Sequence, residues 1–117
     1  MTCFWDAIRS RLHLNISNIE FIQYLKNNNK PTHSVLWNGN GFSKKQLEEN
    51  VEHIRDFNEN TIGNGYDCSI CDPFLILVCE LYNVTISHNY NGHYMKYTTE
   101  NSTRTLDFYS DLGHFRC

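Results

Sequence analysis

Asp72-Pro73-Phe74-Leu75-Ile76-Leu77-Val78-Cys79-Glu80-Leu81-Tyr82-Asn83-Val84-Thr85-Ile86-Ser87 is the stretch in which this chain changes character. Its first part is the most hydrophobic segment of the sequence. Asp suits a helix N-cap and Pro the first helical position, so a helix is expected from Asp72-Pro73 to Tyr82. It is apolar nearly all round, which predicts burial between layers with Phe74, Leu75, Leu77, Val78 and Leu81 inward. Asn83 closes it. Val84 to Ser87 is then a β-branched run, the composition of a strand.

Upstream of this switch the periodicity is helical. Ser43-Lys44-Lys45-Gln46 reads as a capping box. Leu47, Val51, Ile54 and Phe57 follow as one apolar stripe, with Glu48, Glu49, Glu52 and Arg55 on a solvated face. Ser17 and Glu20 form a second capping box, ahead of a short helix from Asn18 to about Lys26 with Ile22 and Leu25 facing in. The stretch from Asn27 to Phe42 reads as a loop with a turn at Asn38-Gly39-Asn40-Gly41, and His33 and Trp37 are expected to pack locally on its surface. At the start, Cys3, Phe4, Ala7, Ile8 and Leu12 have near-helical spacing.

Downstream the pattern is that of strands. Asn89 to Gly92 and Glu100 to Ser102 read as turns. His93 to Thr98, Thr105 to Tyr109 and His114 to Arg116 read as strands, the last reached through Asp111-Leu112-Gly113. Helices first and an antiparallel meander last give an α+β fold, with a buried central helix packed on a small C-terminal antiparallel sheet. No repeat or linker divides the chain, so one domain spanning residues 1–117 is expected.

The formal net charge is −3, and no basic cluster occurs in the sequence, which argues against nucleic acid as a partner. The longest apolar run, Phe74 to Leu81, contains Glu80 and is too short to span a bilayer, so no membrane association is expected. Asp6, Arg9 and Arg11 interrupt any secretory signal pattern, which predicts an intracellular location. Three sequons, at Asn15, Asn83 and Asn101, are then expected to carry no sugar. Five cysteines, an odd number, read as thiols in that setting. The wealth of Asn, Ile, Tyr and Lys would suit an AT-rich genome, as in certain large DNA viruses, protists and bacteria.

Two residues have the chemistry of a nucleophile and its base. Cys3 heads the first helix, where unpaired backbone N–H groups and the helix dipole favour thiolate over thiol. A cysteine nucleophile needs a histidine to accept its proton, and that histidine comes from far away in sequence. His114, in Gly113-His114-Phe115 at the start of a predicted strand, is the candidate. Each residue also has a structural reading, Cys3 as a small apolar core residue and His114 as a core or edge histidine. Cys68-Ser69-Ile70-Cys71 offers half of a zinc site that His88 or His93 would complete, but a second Cys-x-x-Cys is absent. No metal and no cofactor are expected.

Cys3-Phe4-Trp5-Asp6-Ala7-Ile8 resembles the nucleophile segment of the ovarian tumour (OTU) cysteine proteases, in which Cys precedes apolar and aromatic residues and then Ala-aliphatic. The order of the remaining elements is similar too: a charged helix, a buried helix, Asn83-Val84-Thr85-Ile86, and a final strand pair ending in His114-Phe115. The resemblance implies a papain-like architecture and cleavage of isopeptide bonds to ubiquitin or a ubiquitin-like modifier. It makes Cys3 the nucleophile and His114 the base, in a viral member of the family or another. The family's Asp-Gly-x segment, whose backbone builds the oxyanion hole, would precede Cys3, where only Met1-Thr2 stand. Arg116 occupies the position of a third triad member, and neither Asp107 nor Asp111 matches it. Oxyanion donors are typically worth about 2.7–4 kcal/mol each, so slow turnover is expected. The alternative is an inactive OTU-like domain that binds a protein partner or serves as a structural component of an assembly such as a virion.

Overall fold

The computed structural model of the protein describes residues 3–60, 68–111 and 114–116. Helix α4, Cys68–Tyr82, lies at its centre, with Phe74, Leu75, Leu77, Val78 and Cys79 fully buried and Leu81 half-buried. Around it stand α1 (Cys3–Arg11), α2 (Asn18–Asn27) and α3 (Lys44–Asp56). Both expected capping boxes are formed. Ser17 Oγ accepts from Glu20 N at 3.1 Å and Ser43 Oγ from Gln46 N at 3.1 Å, while the Glu20 and Gln46 side chains accept from the backbones of Ser17 and Ser43. Each pair satisfies N–H groups that the first helical turn leaves open.

One boundary differs from the sequence reading. Asp72-Pro73 is not the start of α4; the helix begins at Cys68, with Pro73 inside it. A proline this near the N-terminus removes a single early helical hydrogen bond, and its fixed φ is already helical. Asp72 instead accepts a hydrogen bond from the Tyr97 hydroxyl at 3.3 Å.

The strands are β1 (Val35–Trp37), β2 (Asn40–Gly41), β3 (Thr85–Tyr90), β4 (His93–Thr99), β5 (Thr105–Asp111) and β6 (His114–Arg116). They form one sheet in the order β2-β1-β4-β3-β5-β6. The expected loop from Asn27 to Phe42 thus contains a small hairpin. Asn38 and Gly39 take φ of 48° and 86°, and Asn91 and Gly92 take 49° and 90°. Positive φ at both central residues is what a two-residue turn joining twisted strands requires, and Asn-Gly supplies it at low cost. Asn38 also holds the hairpin to β4: its N–H donates to Lys96 O and its Oδ1 accepts from Lys96 N, each at 2.8 Å.

The sheet is mixed, which corrects the expectation of an antiparallel meander. β3 pairs antiparallel with β4 on one side and parallel with β5 on the other. The chain leaving β4 therefore crosses beneath the start of β3 before entering β5. Asn83 secures this crossing from a left-handed backbone conformation, φ 53°. Its Nδ2 donates to Asn101 O at 2.6 Å, its Oδ1 accepts from the Thr99 hydroxyl at 3.0 Å, and its carbonyl accepts from Thr103 N at 3.0 Å. A hairpin cannot make a parallel pair, so this short, strongly bonded crossing is what permits one.

Alternate positions of the sheet face the helices. Ile86, His88, Tyr97, Leu106, Phe108, Ser110 and Phe115 are buried, whereas Leu36, Tyr94, Lys96, Asp107 and Tyr109 are exposed. Trp5 joins the helices to one another: it makes ring contacts with Phe4, with Phe21 of α2, with Phe57 after α3 and with Phe74 of α4, at centroid distances of 4.9 to 6.0 Å. Edge-to-face packing, as with Phe4, Phe21 and Phe74, adds to the burial of the rings. No helix among the described residues is long and apolar enough to cross a membrane.

Candidate active site

Cys3 is the first residue of α1 and His114 the first of β6. α1 packs beside β6 through Phe4 and Phe115, whose ring centroids are 4.8 Å apart. At its other end, Ser10, Arg11 and His13 line a cleft with Arg104, Thr105 and Leu106 at the start of β5. The helix therefore runs opposite in direction to β5, and its N-terminus lies at the end of the sheet where β5 finishes and β6 begins. Two residues 111 positions apart in sequence are brought to one end of the fold in this way.

Strand register defines the surroundings of His114. It pairs with Asp111, while Phe115 pairs with Ser110 and Arg116 with Tyr109. Phe115 is the β6 residue that enters the core, 1% exposed, against Phe4, Phe108 and the ring of His88. Since strand residues alternate between faces, His114 and Arg116 hold the alternate register positions. β6 is also an edge strand, so its first residue stands at a corner of the sheet. The side chains of Cys3, Asp111 and His114 lie outside the described ones, and so does the expected hydrogen bond between Cys3 and His114.

The other candidates are placed differently. His88 is fully buried, and its Nε2 lies 2.7 Å from Ser110 Oγ. Burial lowers its pKa to about 4, which keeps the imidazole neutral at physiological pH. It is a core histidine joining β3 to β5. The alternation of Ile86 with His88, and of Leu106 with Phe108 and Ser110, is the sequence signal that places both polar residues inward. His93 is exposed on β4. Cys68 and Cys71 both fall in the first turns of α4, and Cys71 is buried. Among the described residues, no three His, Cys, Asp or Glu side chains come together as metal ligands. Cys79 donates to Tyr97 O at 3.8 Å, and burial pushes its thiol up to about 12, which makes it a packing residue and no nucleophile. His33 is exposed, as expected for it; Trp37, expected to pack in a surface loop, instead lies in β1.

No protein-family model matches the chain, and neither does any curated protein or any solved structure.

Proposed function

We propose that the protein is an OTU-like cysteine isopeptidase acting on ubiquitin or a ubiquitin-like protein, with Cys3 as nucleophile and His114 as general base. The observation that carries this reading is the shared location of the first residue of α1 and the first residue of β6 at one end of the sheet, fixed by the Phe4–Phe115 contact. A helix-borne cysteine beside a strand-borne histidine is the arrangement that generates a thiolate–imidazolium pair. The helix N-terminus favours the thiolate and a neighbouring imidazolium favours it further, so the two effects add. Because Phe115 takes the inward position of β6, the Cys3–His114 contact belongs at the corner of the sheet, around its edge. Asp111 pairs with His114 in register, which makes it the candidate to orient the imidazole.

The inward position of Phe115 also favours the alternative, a non-catalytic domain that binds a partner or builds an assembly. One experiment separates the two. Ubiquitin bearing a C-terminal electrophile is incubated with the protein at neutral pH, in parallel with iodoacetamide. The proposal expects ubiquitin to attach at Cys3, no attachment in Cys3→Ala, and labelling slowed roughly 100-fold in His114→Ala. Labelling by iodoacetamide alone would leave a reactive thiol but remove ubiquitin as the substrate. If Cys3 reacts with neither reagent, the catalytic reading falls.

A further inference from the structure

A cleft of about 250 Å³ opens between α3, the N-terminal half of α4 and the β1–β4 side of the sheet. Its lining is more aromatic than that of the two other described hollows, which have no Trp, Tyr or Phe. Trp37 and Tyr97 are directly paired across β1 and β4 and both line the cleft, with Met95 two positions along the strand. Phe42 also lines it. Gln46, Glu49 and Asn50 of α3 form one wall, and Asp72 and Ile76 of α4 the other. Two carboxylates and three aromatic rings therefore line the cleft, and no basic side chain does.

The state of these groups is informative. Trp37 lines the cleft and is 41% exposed, large for an indole in a strand. Asp72 is held in place by the Tyr97 hydroxyl at 3.3 Å. Among the described residues, Glu49 pairs with the terminal ammonium of Lys45 at 3.9 Å, and that lysine is 86% exposed. A pair so exposed and so long is worth little and yields easily to a better cation. Aromatic faces attract cations through their quadrupoles, and indole is the strongest of them.

We propose that this cleft binds a guanidinium group, as carried by an arginine side chain of a partner peptide. Guanidinium is planar and weakly hydrated, so it stacks on Trp37 while its N–H fork donates to the Glu49 carboxylate in bidentate fashion. A bare divalent ion is disfavoured, because it needs several oxygen ligands and gains little from aromatic walls. The cleft lies on β1–β4, away from the α1–β6 end, so the inference stands apart from the catalytic proposal.

The test is a titration with Nα-acetyl-arginine methylamide, followed by the indole N–H resonances of the two tryptophans. Trp5 is 3% exposed and serves as the internal reference, while Trp37 reports on the cleft. The expected result is a saturable shift of the Trp37 resonance at millimolar ligand with Trp5 unmoved. The isosteric but neutral citrulline derivative should bind at least about tenfold more weakly, since it keeps the shape and loses the charge. Glu49→Gln, a conservative change on the solvent side of a helix, should weaken binding, and Lys45→Gln should leave it unchanged or strengthen it. An absent or non-saturating Trp37 shift, equal binding of citrulline, or no effect of Glu49→Gln would each overturn the assignment.

Discussion

The Nε2 atom of His88 lies 2.7 Å from the hydroxyl oxygen of Ser110, so a polar pair links the parallel strands β3 and β5 inside the apolar core. The pair is neutral because burial holds His88 at a pKa of about 4. In the unfolded chain a histidine titrates near 6.5. Between these values the unfolded state binds more protons than the folded one, so stability rises with pH across that window.

Lowering the pH from about 6.5 to about 4 is therefore expected to cost up to about 3 kcal/mol from this residue alone, with no further loss from it below that. Chemical denaturation at pH 7 and at pH 4.5 measures the effect. Carboxylates add their own acid dependence, so the comparison is with His88→Gln, which should show a flatter profile. Identical slopes for the two proteins would show that His88 does not titrate as described.

Leu77 is fully buried in the middle of α4. Leu77→Ala should destabilise the protein by about 2–5 kcal/mol, from lost transfer energy and the cavity left behind. A loss below about 1 kcal/mol in denaturant unfolding would mean that α4 is not the central element.

Asn83 combines a left-handed backbone with two side-chain hydrogen bonds. Asn83→Gly keeps the conformation and loses the bonds, each worth about 0.5–1.5 kcal/mol. Asn83→Ala loses the bonds and adds about 1–2 kcal/mol of backbone strain. Alanine is thus expected to be the more damaging substitution, the reverse of the order found inside a helix. Equal costs would indicate that the crossing does not depend on that conformation.

Asp111 and Asp107 test the register. Asp111 is opposite His114, whereas Asp107 pairs with Ser87 on the exposed face. Asp111→Asn should slow labelling of Cys3 by the ubiquitin electrophile, by less than His114→Ala does, and Asp107→Asn should leave the rate unchanged. Equal rates for the two asparagine variants would remove Asp111 from the site.

Helix existence was readable in the chain because its causes are local. The two capping boxes, the Leu47–Ile54 stripe and the apolar run of α4 each act within one or two turns, and all are found where spacing puts them. The Asn-Gly pairs likewise set their turns through the φ of two residues. The first hairpin is not legible in the sequence because Val35–Trp37 and Asn40–Gly41 are too short to carry a period; pairing of β1 with β4 and of β2 with β1 makes them strands.

The pairing of β3 with β5 instead of a meander depends on a crossing held by Asn83, and alternation along either strand is the same for a parallel or an antiparallel neighbour. Trp5 falls outside the narrow apolar stripe of α1, yet three aromatic rings from separate segments, Phe21, Phe57 and Phe74, converge on it. The chain supplied a cysteine and a histidine of suitable type at its two ends, and their residue kinds are all that composition and spacing express. That α1 runs against β5, bringing its first residue to the corner where β6 starts, follows from packing of Phe4 on Phe115, a contact between segments that no local rule connects.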